Sequence, residues 1–90
     1  MKIRVKYLMW LRDKIGVESE EYVFDREITL RELINLLKNK HVNLEKFLDR
    51  GFNVEDSIII IVNGKSINQN LDYVLNNNDE VVLLPPVSGG

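Results

Sequence analysis

Residues 57–67 read SIIIIVNGKSI, and the fold turns on them. Ile58, Ile59, Ile60, Ile61 and Val62 put five β-branched side chains in succession, the composition of a strand buried on both faces. Asn63-Gly64 closes the run with a pair suited to the positive φ angles of a tight hairpin turn, so a short strand should return beyond it. A strand covered on both sides needs neighbours, and the flanking sequence has to supply them.

Upstream, the best helix begins at Thr29. Thr29-Leu30-Arg31-Glu32 is a capping box: the Thr29 hydroxyl accepts from the Glu32 N–H, and the Glu32 carboxylate reaches back to the Thr29 N–H. Ile28 and Leu33 suit a hydrophobic staple across that cap. Leu30, Leu33, Ile34 and Leu37 make one apolar stripe, with Leu36 at its edge. Lys38, Lys40 and His41 gather at the far end, where positive charge suits the helix dipole. Asn43 to Gly51 read as a shorter helix, with Leu44, Phe47 and Leu48 facing inward.

Nearer the start, residues 2–8 alternate, with Ile3, Val5 and Tyr7 on one face and Lys2, Arg4 and Lys6 on the other. Leu8 falls on the polar face and breaks the pattern. Leu8, Leu11 and Ile15 then take helical spacing up to Gly16. Residues 20–24 make a second strand, close enough to the first for an antiparallel hairpin. Downstream of the isoleucine run, residues 71–75 allow one helical turn. Asn78 suits a left-handed position, and residues 80–84 form the last strand. The order is strand, strand, helix, strand, short strand, strand. It predicts an α+β domain over residues 1–84, a mixed sheet packed on one main helix.

Composition narrows the function. Ninety residues make one domain, and 44% hydrophobic with 29% charged residues is a globular balance. Lys plus Arg number 12 against 14 Asp plus Glu, a net charge of −2, so nucleic acid is not the expected partner. No stretch approaches the ~20 apolar residues that span a bilayer, and the N-terminus lacks a signal-peptide core, so a cytoplasmic protein without a membrane partner is expected. There is no cysteine, hence no thiol nucleophile and no thiolate metal site.

The remaining reactive residues do not assemble into a catalytic set. His41 is the only histidine and reads as a dipole partner at a helix end. Glu18, Glu20 and Glu21 read as a solvated face, and Asp79-Glu80 as a turn. Trp10 reads as a cover for the core. The expectation is no catalytic residue, no metal and no bound cofactor.

What is left is the end of the chain. Residues 83–90, LLPPVSGG, run a strand into Pro85-Pro86, which fix an extended course and stop both helix and sheet. Val87, Ser88, Gly89 and Gly90 follow, the last three with almost no side-chain bulk. Six residues from Pro85 reach roughly 20 Å and can thread a channel closed to larger side chains. Such a tail, residues 85–90, carries only its α-carboxylate, ionised at neutral pH and a poor electrophile until it is activated as a mixed anhydride.

Residues 5–16 (VKYLMWLRDKIG), 58–64 (IIIIVNG) and above all 78–90 (NDEVVLLPPVSGG) resemble the small, sulfur-carrying subunit of molybdopterin synthase, a ubiquitin-like β-grasp family. The likeness runs the length of the chain except residues 43–56, which are longer than that family needs. Asn78-Asp79 stands where the family usually has Gly-Asp. The resemblance implies that the first and last strands lie side by side and parallel in mid-sheet. It implies that Gly90 is adenylated with ATP by an E1-like enzyme, then converted to a thiocarboxylate. It implies, too, that the tail enters the large subunit of a heterotetrameric synthase. Docking is expected at an apolar patch around the tail root, made by Leu8, Val82 and Leu84 with Ile67 near them. A thiamin-type sulfur carrier and a protein modifier joined to lysines share the Gly-Gly ending and stay open as alternatives. So does a β-grasp binding module with an inert tail.

Overall fold

The computed structural model describes residues 1–42, 58–67 and 70–85. Along the chain it forms β1 (Lys2–Tyr7), α1 (Met9–Ile15), β2 (Ser19–Val23), α2 (Leu30–Lys40), β3 (Ile59–Val62), β4 (Lys65–Ser66) and β5 (Asp79–Leu84). The strands make one sheet in the order β2-β1-β5-β3-β4. β1 pairs antiparallel with β2 and parallel with β5, and β5 pairs antiparallel with β3. With α2 on one face, this is the ubiquitin-like β-grasp arrangement, and the first and last strands are central neighbours. The helix read into Asn43–Gly51 lies outside the described residues.

The core follows from the alternation. Ile3, Val5 and Tyr7 of β1, Ile58, Ile60 and Val62, Val81 and Leu83 of β5, and Leu30, Leu33, Ile34 and Leu37 of α2 are buried together. Each large side chain so buried contributes roughly 1.5–3 kcal/mol relative to exposure. α1 adds Leu11 to this core and ends at Gly16, whose φ of 94° needs no Cβ. Trp10 stays 40% exposed, so the expected core cover is its neighbour Leu11 instead. A short helix turned to bury one of two adjacent residues sends the other outward.

α2 begins as its sequence demands. The Thr29 hydroxyl accepts from the Glu32 N–H at 3.2 Å, and a Glu32 carboxylate oxygen accepts from the Thr29 N–H at 3.1 Å. Two further helix-start donors find acceptors far along the chain: Leu30 N–H bonds Tyr73 O, and Arg31 N–H bonds Leu71 O, both at 2.8 Å. That requirement explains why residues 71–75 do not form the expected helical turn. They run as a turn and a bridge, Thr29 opposite Val74, serving the cap of α2.

The isoleucine run also differs from expectation. Ile58, Ile60 and Val62 are buried, whereas Ile59 and Ile61 are only half-buried, on the sheet face turned away from α2. The hairpin beyond is as expected, with φ of 50° at Asn63 and 87° at Gly64. Asn78 likewise takes a left-handed φ of 70°.

Candidate functional site at the root of the tail

β5 carries the chain to its end, and its position decides how firmly the tail is held. The strand is bonded on both sides to its last residues. The Leu8 N–H donates to Leu83 O at 3.1 Å, and Leu84 is in register with Ile59. Pro85 follows, buried and without an N–H to offer a further neighbour. The tail therefore departs from the middle of the sheet. Pro86, Val87, Ser88, Gly89 and Gly90 lie outside the described residues.

Register sorts the side chains around that root. Asp79, Val81 and Leu83 point into the core, so Glu80, Val82 and Leu84 share the open face. Leu8, in extended conformation directly after β1, continues the outward set Lys2, Arg4 and Lys6. Leu8, Val82 and Leu84 are all half-buried on this face. Opposite Val82 and Leu84 stand Ile61 and Ile59, so β3 widens the patch with two residues the sequence assigned wholly to the core. Ile67 does not join them: its N–H bonds Ile60 O at 3.0 Å, and its side chain packs against the core.

The face is graded. Its apolar end, Leu8, Leu84 and Ile59, is the end from which the tail leaves. Its other end is charged, with Lys2 to Glu21 at 3.3 Å and Lys6 to Glu80 at 3.8 Å. These exposed pairs add little stability. A depression of about 300 Å³ there is lined by Lys2, Arg4, Glu21, Asn78, Asp79 and Glu80. It gathers no nucleophile or metal set, and no metal-holding group of acids or histidine occurs among the described residues.

Two polar clusters were not legible from spacing. At the charged end, the Asp79 carboxylate is 6% exposed. It accepts from the Asn63 side-chain amide at 2.7 Å and from the Asn76 N–H at 2.8 Å. The Asn63 side-chain oxygen accepts from the Glu80 N–H at 3.0 Å, extending the β3–β5 ladder past the last residue of β3. Asn77 accepts from the Lys2 N–H at 2.8 Å, and the Asn78 N–H donates to Lys2 O at 2.7 Å. Residues 76–80, read as a turn, are thus a lock that sets β5 between β1 and β3.

The second cluster surrounds Glu20. One of its oxygens accepts from the hydroxyls of Tyr7 and Tyr22, each at 2.9 Å, and contacts His41 Nε2 at 2.8 Å. The other receives Lys40 Nζ at 2.9 Å. Partial burial works against the charge, but the hydrogen bonds from Lys40, His41, Tyr22 and Tyr7 outweigh it and hold the carboxyl at about 2. Burial, aided by the Glu20 bond, pushes the Tyr7 phenol well up. Glu20 is therefore no solvated residue, and His41 is a tether between α2 and the β1–β2 hairpin as well as a helix-end cap. Four donors from three elements converge on one carboxylate, which no local pattern announces.

Comparison with known proteins bears on the tail and the face. The model of the ThiS family matches residues 5–90. A putative molybdopterin converting factor subunit 1 from Pyrococcus furiosus is 30% identical, with a TM-score of 0.81 over 97% of this chain and 99% of its own. The small archaeal modifier protein 1 from Methanosarcina acetivorans is 26% identical, with a TM-score of 0.77 over 99% of this chain and 96% of its own. A chain in the complex of subunits 1 and 2 of the molybdopterin-converting factor from Helicobacter pylori 26695 is 27% identical, with a TM-score of 0.68 over the full length of both. Among curated proteins none matches.

Proposed function

The chain belongs to the ThiS family of ubiquitin-like sulfur carriers, and from that premise we propose that it carries sulfur on Gly90 for the assembly of molybdopterin. The observation that carries this reading is the course of β5. A strand paired with β1 as far as Leu83 and with β3 as far as Leu84 gives the chain beyond it a fixed root beside an apolar face. The likeness to molybdopterin-converting subunits supports the choice of product.

The chemistry follows from the carboxylate. Its charge repels a nucleophile, and oxide is a poor leaving group. Attack of the Gly90 carboxylate on ATP gives an acyl-adenylate and pyrophosphate in an E1-like activating enzyme. Sulfide then displaces AMP, leaving a thiocarboxylate. The chain itself contributes a handle, a thin segment and a docking face, with Leu8, Val82, Leu84, Ile59 and Ile61 meeting the enzyme that receives the sulfur. The receiver on this reading is the large synthase subunit, a choice supported by the likeness to a chain in the complex of subunits 1 and 2 from Helicobacter pylori 26695.

A second reading, conjugation to lysines, is favoured by the likeness to the small archaeal modifier protein 1 along nearly the whole chain. Both begin with the same adenylate and part at the nucleophile. Intact-mass analysis after incubation with an E1-like enzyme, ATP and a sulfur donor separates them. Exchange of one terminal oxygen for sulfur, then transfer to a pterin precursor, is the expected result. Branched Gly-Gly remnants on lysines without any thiocarboxylate would replace it with the modifier reading.

A further inference from the structure

We propose that Asn63 is a site of spontaneous deamidation and that the buried carboxylate of Asp79 holds the reaction in check. Asn63 is the only asparagine in the chain followed by glycine. Both residues are exposed, and apart from the adjoining Asn63 and Lys65 nothing lies within 4 Å of the place a Cβ on Gly64 would occupy. Gly64 thus brings no side chain of its own to hinder attack by its nitrogen. Its attack on Cγ of Asn63 forms a five-membered imide as the N–H proton is lost. The Cγ–Nδ2 bond breaks and ammonia leaves. Water then opens the ring at either carbonyl, leaving aspartate or isoaspartate. The balance is one water consumed and one ammonia released, with no oxidant or reductant.

The lock at the end of β5 opposes this step. Both polar atoms of the carboxamide are tied to β5: Nδ2 donates to Asp79 at 2.7 Å, and Oδ1 accepts from the Glu80 N–H at 3.0 Å. The main-chain N–H of Asn63 donates to Glu80 O at 3.0 Å, so three bonds hold the residue to β5. Turning the carboxamide toward Gly64 breaks both side-chain bonds and strips the 6%-exposed Asp79 of its side-chain donor. Once formed, the product is worse for the fold. A carboxylate stands where an amide had donated to Asp79, and like charges at that separation repel. Isoaspartate also lengthens the backbone inside a two-residue turn.

The test holds the purified chain at mildly alkaline pH and follows peptide maps for the amide-to-acid mass gain and for isoaspartate. Native protein, protein in denaturant, and the variants Asp79→Ala and Asp79→Asn are compared. Amide exchange at Ile60 and Val62 reports in parallel whether each variant keeps its sheet. Asn63 should react faster than every other asparagine in denaturant, and roughly tenfold or more slowly in the native state. Asp79→Ala should lose most of that protection while Ile60 and Val62 remain protected, and Asp79→Asn, whose carbonyl still accepts, should fall between. If the alanine variant unfolds, the asparagine variant decides. Equal rates in native and denatured chains, or a folded Asp79 variant that reacts no faster than the parent, overturn the proposal.

Discussion

Glu20 shows how a single carboxylate can bind three elements. Its folded-state pKa of about 2 lies below the unfolded value near 4.5. The stability it contributes is therefore fully present above that unfolded value and is lost as pH falls toward 2. Solvent reaches part of the cluster, so the contribution is on the order of 1–2 kcal/mol. Glu20→Gln should lower the denaturation midpoint at pH 7, with the gap to the parent closing as pH drops through the range from 4.5 to 2. A gap of constant size across that range would mean the charge is not what matters. Glu20 was illegible in the sequence because its donors are Tyr7, Tyr22, Lys40 and His41, up to 21 positions away. Asp79 was hidden for the same reason, since its partner Asn63 is 16 positions off. Ile3, Val5 and Tyr7 were legible, because alternation is written into neighbouring residues.

Among the elements, α2 was the clearest in advance and the open face of the sheet the least clear. A capping box is a four-residue pattern, and the stripe from Leu30 to Leu37 repeats at helical spacing, so the start and inner face of α2 follow from local rules. Thr29→Ala removes the hydroxyl that accepts from Glu32 and should cost about 1 kcal/mol, read as a shift of the urea midpoint. No shift would assign the helix start to the bonds that Leu30 and Arg31 donate to Tyr73 and Leu71 alone. β3 is the opposite case. Five β-branched residues in a row have no period, so nothing in the run distinguishes Ile60, which is buried, from Ile59 and Ile61, which look outward. Only the register with β5 settles it, and it places those two beside Val82 and Leu84. Leu84→Asp tests what that face does. The residue is half-exposed, so the fold should survive, whereas affinity for a large synthase subunit should fall roughly tenfold or more if the face docks there. Unchanged affinity in a folded variant would remove the face from the interface.

On the proposed reading, the molecule as a whole separates holding from reacting. Pro85 is buried at the end of β5, and the proposed reacting group, Gly90, lies five residues further along the chain. A consequence is that stability and function should come apart cleanly at the last residue. Deleting Gly90 is expected to leave the thermal midpoint unchanged and to abolish thiocarboxylate formation, because the carboxylate of Gly89 then falls short of the activating nucleotide by roughly 3.5 Å. Adding one residue should be nearly as damaging, since the carboxylate overshoots by the same distance and reacting groups tolerate little misplacement. Gly89→Val keeps the reach and the carboxylate but adds bulk, so it reports on the channel. The three variants therefore distinguish reach from width. Loss with both changes of length supports a terminus placed by a rigid root, with the face of β5 and β3 seating the domain and β5 fixing the distance. If the shortened chain is still charged with sulfur at the parent's rate, the terminus is not positioned by the fold. Gly90 would then lose the role given to it, whatever Leu8, Val82 and Leu84 bind.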